Sequence, residues 1–150
     1  MLDVIAFQAK SAALLDAADY DRWMEDFDED CLYQVLSVEN LDLGYDLPLL
    51  LAKNKNMLRD RILSLREANI YNIHRDRHVL SLPVVTREGD LIKAVTSLVI
   101  YQSDQEGIST LFAVGRYEDE IRESPQGLRL KRRDVILDTY GIVRLLSTPL

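Results

Sequence analysis

The residues best suited to chemistry sit in one short run, His74-Arg75-Asp76-Arg77-His78, which holds both of the chain's histidines. Two histidines and a carboxylate are the ligand set of a mononuclear non-haem iron, and on an extended chain residues 74, 76 and 78 share a face. Spacing works against that use. On a strand His74 and His78 lie about 13 Å apart by rise, whereas ligands to one ion sit about 2.1 Å from it. Arg75 and Arg77 add positive charge beside the proposed cation. The run reads instead as polar, ion-paired residues at a contact surface.

A second set, Asp30, Tyr33, His74 and His78, would suit acid–base work, with a histidine as general base and the tyrosine as hydrogen-bond donor. The plainer reading puts Tyr33 in a strand, Asp30 at a helix end and the histidines in hydrogen-bonded contacts. A Rieske centre needs two cysteines and two histidines. The single cysteine, Cys31, cannot supply it. No glycine-rich phosphate loop of either familiar type occurs, and Gly115, within Ala113-Val114-Gly115-Arg116, reads as a bend or bulge that curls a sheet.

Composition narrows the field further. With 18 Lys+Arg against 25 Asp+Glu the net charge is −7, which opposes phosphate backbones and anionic lipid unless the bases cluster. They do so only at Arg129-Leu130-Lys131-Arg132-Arg133, where a strand points them to both faces, so neither nucleic acid nor membrane is an expected partner. One cysteine forbids an internal disulfide and fits the reducing cytoplasm. The chain lacks both a run long enough to span a bilayer and a secretory start. Residues 1–150 are expected to form one domain with one core.

The elements that must position these residues centre on three predicted strands, 91–101, 109–121 and 128–137, rich in β-branched and aromatic residues and separated by turn signals at 103–107 and 124–127. In the first, Ile92, Ala94, Thr96, Leu98 and Ile100 lie on one side and Lys93, Val95, Ser97, Val99 and Tyr101 on the other. Both sides are largely apolar. One layer of helices covers only one face, so the other face is expected to be covered by another chain.

Ahead of the strands, residues 3–18 read as an amphipathic helix with Asp3 as N-cap, and residues 22–27 as a short helix carrying Trp23 and Phe27 on one face. Residues 31–36 form a first strand. Residues 37–53 look irregular, and Asn54 or Asn56 caps a helix through Met57, Leu58, Ile62 and Leu65. A strand over 79–85 contains Pro83, which marks an edge or bulge. The apolar tail, 140–150, is expected to lie on a neighbour. Helices on one side of a bent antiparallel sheet make an α+β architecture.

The arrangement Asp21-Arg22-Trp23 with Phe27 and Asp30-Cys31-Leu32-Tyr33, then Met57-Leu58-Arg59-Asp60-Arg61, then Arg75-Asp76-Arg77-His78, resembles the small (β) subunit of aromatic-ring-hydroxylating dioxygenases, the Rieske non-haem iron oxygenases. The likeness spans nearly the whole chain. Leu65-Arg66-Glu67-Ala68-Asn69-Ile70-Tyr71 followed by His74-Arg75 is most similar to small subunits of enzymes acting on aromatic acids, terephthalate first, then the salicylate and aminobenzoate types.

The resemblance implies a cystatin-like, nuclear-transport-factor-2-like cone with N-terminal helices on a strongly curved sheet. It implies assembly with a large α subunit as α3β3, including β–β contacts. The Rieske [2Fe-2S] cluster and mononuclear Fe(II) then belong to the partner, with electrons from NAD(P)H through a reductase, and this chain holds no cofactor, metal or catalytic residue. Cone folds also host isomerases and dehydratases, and Asp30, Tyr33, His74 and His78 are the set such an enzyme would use. Interface positions favour arginine and aromatic residues, which singles out Arg75, Arg77, His78, Tyr101, Arg116, Arg132 and Tyr140 as contact candidates.

Overall fold

The computed structural model describes residues 1–45, 47–67, 73–138 and 148–150. Strand alternation sets its architecture. Along β5 (Leu91–Asp104) the even-numbered residues from Ile92 to Gln102 are buried, while the odd-numbered ones from Lys93 to Tyr101 are partly or fully exposed. β6 (Ser109–Ser124) and β7 (Gly127–Leu137) continue the sheet as successive antiparallel neighbours.

The remaining strands are β1 (Phe27–Ser37), β2 (Leu50–Ala52), β3 (His74–Leu80) and β4 (Val84–Glu88). The order across the sheet is β2-β1-β7-β6-β5-β3, with β4 also paired to β5. Helices α1 (Leu2–Asp16), α2 (Tyr20–Met24) and α4 (Lys55–Glu67) cover the inner face, with α1 against β3 and α4 against β1, and α3 (Val38–Asp42) follows β1.

Several expectations change in three dimensions. The sheet is mixed, because β1 runs parallel to β7, with Tyr33 opposite Arg133 and Val35 opposite Val135. Alternation reports which face a residue takes but carries no direction, and this pairing joins residues a hundred apart in sequence, such as Tyr33 and Arg133. The short helix ends at Met24, and β7 captures the chain immediately after it. Leu130 N donates to the Asp26 carbonyl at 2.7 Å and Phe27 lies opposite Leu130. Trp23 and Phe27 still meet edge to face at 4.8 Å, now as helix against strand.

Asp3 sits in the first turn of α1 and is not its cap. The region 37–53 contains α3, whose first turn Ser37 caps by accepting from Asn40 N, and β2, paired to β1. Asn54 caps α4, accepting from Met57 N at 2.9 Å. The single strand expected over 79–85 is two, β3 and β4, which share one edge of β5. The break falls at residues 81–83, where Pro83 has no N–H to donate.

The tail also differs. Leu150 is fully buried in the chain's own core, and its N–H donates to the Tyr33 hydroxyl at 2.9 Å while that hydroxyl donates back to the Leu150 carbonyl at 3.0 Å. Residues 140–147 of the tail lie outside the described residues.

Gly115 marks a close approach between strands. A Cβ there would fall 2.1 Å from the Ile136 carbonyl oxygen, whereas the register slips lie elsewhere, at Ile100/Tyr101 and Glu120/Ile121. Only glycine lets β6 and β7 come this close.

Beneath the helices lies a buried ion pair. Arg133 Nε and Nη2 donate to Asp119 Oδ1 and Oδ2 at 2.9 and 2.8 Å, with both side chains fully buried. Gln8 donates to Asp119 Oδ2, Arg133 Nη1 donates to Ser11 Oγ, and the guanidinium stacks 4.2 Å over the Tyr117 ring. Burial acts to lower the Arg133 pKa, but the facing Asp119 carboxylate outweighs it and holds the guanidinium above its ordinary value.

Removing one member of a buried pair strands the other charge, so Arg133→Ala is expected to cost about 3–5 kcal/mol in urea unfolding, while Arg133→Met with Asp119→Leu should recover most of that loss. Gly115→Ala is expected to destabilise by on the order of 3 kcal/mol in the same assay, because the clash is with backbone and the strands must part.

Candidate functional site: the outer face of the sheet

His74, Asp76 and His78 do share a face of β3, and it is the inner one. Each histidine is engaged there by a carboxylate. His78 Nδ1 lies 2.7 Å from Asp16 Oδ1, which also accepts from His78 N at 2.9 Å, and Arg77 donates to Asp16 Oδ2 at 3.0 Å. His74 Nε2 lies 3.4 Å from Asp76 Oδ1, and the other Asp76 oxygen accepts from the Thr148 hydroxyl at 2.9 Å. His78 therefore leaves the set of contact candidates. Its side chain is fully buried, because the two-residue period turns it inward between Arg77 and Val79.

The acid–base set does not assemble either. Asp30 is exposed and paired with Lys131, whose hydrogen bond is the main influence holding its carboxyl below the usual range. Tyr33 is buried against Trp23 and Phe27, and burial pushes its phenol up to about 12. These residues face different partners.

Neither the thiol nor the histidines are disposed to hold iron. Burial pushes the Cys31 thiol up to about 11, away from the thiolate a cluster needs, and both histidines are held by carboxylates of the chain itself. Among the described residues no group of three or more His, Cys, Asp or Glu could hold a metal ion. No described helix is long and apolar enough to cross a membrane.

The outer face is where the other candidates meet. Register places Arg77 opposite Tyr101 and Tyr101 opposite Leu111, while the next row is Val79, Val99 and Val114. Arg75 lies at the end of the same face, Arg116 opposite Ser97, and Arg132 in the row of Lys93 and Glu120. Tyr101, Leu111, Val79 and Val95 are 43%, 54%, 51% and 42% exposed, a large apolar showing for a central sheet face.

Charge frames this strip. Arg116 Nε donates to Glu118 at 2.8 Å, and Arg132 holds both oxygens of Asp134, a hydrogen bond that raises its own pKa. Tyr140 lies outside the described residues. Reading strand by strand did not single out Leu111 or Val79. Their signal is apolar character on the side opposite the helices, which becomes legible only once the register is known.

The comparisons agree with this chain's architecture. A family model described as "Ring hydroxylating beta subunit" matches residues 10–144. The small subunit of anthranilate 1,2-dioxygenase from Burkholderia cepacia is 38% identical, covering 99% of this chain and 92% of that protein. A β subunit of the terminal oxygenase component of terephthalate 1,2-dioxygenase from a Comamonas species is 35% identical, over 99% and 97%. Among solved structures, the β subunit assigned to an aromatic-ring-hydroxylating dioxygenase of Novosphingobium aromaticivorans superposes with a TM-score of 0.89 at 36% identity, covering 99% of this chain and 95% of that one. For the fold alone, an NTF2-like protein with a cystatin-like fold from the same organism matches with a TM-score of 0.66 at 22% identity, over 93% and 82%. With its cystatin-like α+β fold and an outer face carrying exposed apolar residues, this chain belongs to the ring-hydroxylating β-subunit family, the small subunits of aromatic-ring-hydroxylating dioxygenases.

Proposed function

We propose that this chain is a single-domain, non-catalytic structural subunit of a cytoplasmic terminal oxygenase, clamped to its large subunit and to other copies of itself in an α3β3 assembly. The large subunit carries the Rieske [2Fe-2S] cluster and the mononuclear iron, takes electrons from NAD(P)H through a reductase, and dihydroxylates an aromatic carboxylate. Relatives named for anthranilate and for terephthalate stand nearly level in identity, so the substrate class is the aromatic acid, with no preference for terephthalate.

The observation that carries this reading is the outer face. Arg75, Arg77, Tyr101, Arg116 and Arg132 lie on it together with exposed Val79, Val95 and Leu111. An exposed aromatic with arginines on the same face is the residue set that interface positions favour. On the inner face the chain's own helices and residues 148–150 already occupy the sheet.

Tyr101→Ala combined with Arg77→Ala is expected to lower recovery of the large subunit in co-purification by tenfold or more, since central anchors are each worth about 2 kcal/mol or more. The isolated chain should unfold within about 1 kcal/mol of the unaltered protein, because the Arg77 side chain is 72% exposed and Asp16 keeps its contacts with His78 when Arg77 is removed. Equal recovery would set the outer face aside. Iron analysis gives a second check. The isolated chain should carry far less than one iron per molecule after dialysis, and the co-purified complex should carry iron and an iron–sulfur visible spectrum, whereas stoichiometric iron in the isolated chain would overturn the reading.

A further inference from the structure

Charge is spread unevenly over the outer face. Toward one end the cations are already matched by the chain's own carboxylates: Arg116 by Glu118, Arg132 by Asp134 and Lys93 by Glu88, with Glu120 opposite both Lys93 and Arg132. At the other end, where β3 begins, Arg75 is exposed and has no hydrogen bond or ion pair among the described residues. Its neighbours by register are uncharged. Ser103 stands opposite it and Ser109 beyond, joined through their hydroxyls at 2.7 Å, and the flanking row is Arg77, Tyr101 and Leu111.

Arg77 adds to the positive charge of this corner. Its partner Asp16 lies at 3.0 Å, but the same carboxylate also accepts from the His78 N–H and engages the His78 ring, and the Arg77 side chain stays 72% exposed. Asp104, across from His74, is turned into the β5–β6 hairpin, where its Oδ1 accepts from Glu106 N at 3.0 Å and Ile108 N at 2.9 Å. Two arginines thus share one carboxylate on a chain whose net charge is −7. A local positive excess on an acidic molecule attracts a partner's carboxylate while the remaining surface repels it, which fixes register as well as affinity.

We propose that the Arg75–Arg77 corner receives an acidic segment of the large subunit, with an Asp or Glu side chain held by the Arg75 guanidinium beside the Tyr101 ring. This rests on the outer-face reading of the assembly and adds to it the chemistry of the partner's contact. The planar fork of arginine takes both oxygens of a carboxylate. Tyr101, 43% exposed, supplies an apolar wall that keeps water from the pair once the partner is seated, and an ion pair gains strength as water leaves.

The test reassembles the full chain with the large subunit that co-purifies with it, over a series of salt concentrations. Arg75→Glu is expected to weaken assembly about tenfold or more at low salt, because it sets carboxylate against carboxylate, and the deficit should shrink as salt rises. Arg75→Lys keeps the charge and should stay within about threefold of the unaltered chain. Urea unfolding of the isolated Arg75→Glu chain should match the unaltered one, since the side chain has no contact to lose. Carbodiimide coupling then identifies the partner group: the amine introduced by Arg75→Lys should form an amide with an Asp or Glu of the large subunit, located by peptide mass. Undiminished assembly of Arg75→Glu at low salt, a deficit that salt leaves unchanged, or coupling that is absent or reaches only another copy of this chain or its own Asp104 or Glu106 would each overturn the proposal. A complex that survives Tyr101→Ala with Arg77→Ala defeats the outer-face reading and this proposal with it, whereas one lost in that pair but indifferent to Arg75→Glu defeats this proposal alone.

Discussion

The Arg133–Asp119 pair is the constraint around which the molecule is arranged. Two opposite charges withdrawn from water are tolerated only where geometry is bidentate and every remaining donor is met. Here the demand is met from four directions: Gln8 and Ser11 from α1, the Tyr117 ring from β6, and Asp119 across the β6–β7 ladder. The same Ser11 hydroxyl accepts from Trp23 Nε1, and Thr96 donates to Gln8, so α1, α2, β5, β6 and β7 are tied to one polar centre. Helices could slide along an apolar sheet. They cannot slide along this one without breaking charged hydrogen bonds.

That centre also fixes how the described residues of the inner face are engaged. Its histidines are committed to Asp16 and Asp76, its thiol is pushed up by burial, and its mouth is crossed by residues 148–150. Among the described residues, α1, α2, α4 and residues 148–150 cover the inner face, and the outer face carries exposed Tyr101, Leu111, Val79 and Val95. The family match is to a β subunit of an oxygenase, which implies an α partner.

Much of this was legible residue by residue. Alternation located β5, β6 and β7 and put Tyr101, Arg116 and Arg132 at strand positions, whereas Arg75 and Arg77, expected just ahead of a strand, lie within β3 itself, and register places all five on one face. Helical spacing located α1 and α4. His78 shows the limit of the method. An interface residue and a buried, ion-paired one have the same type and the same neighbours in sequence, and only the position of α1, with Asp16 at its end, tells them apart. Leu150 is a similar case, since apolar residues bury themselves wherever apolar surface is offered, and here the chain's own core offers it.

By itself, then, the amino-acid sequence determined the properties that are local or compositional: the period of each long strand, the apolar character of both sheet faces, and the lack of enough cysteine and histidine for a Rieske centre. The tertiary structure alone decided everything that depends on which distant segments meet. It set the parallel pairing of β1 with β7, the capture of Phe27 by a strand, the closeness of β6 and β7 that Gly115 permits, and the partners of Arg133 and His78. The reason is physical. Periodicity and propensity act over a few residues, whereas ladder hydrogen bonds, buried charge pairs and close backbone approach are fixed by contacts whose members lie tens of residues apart.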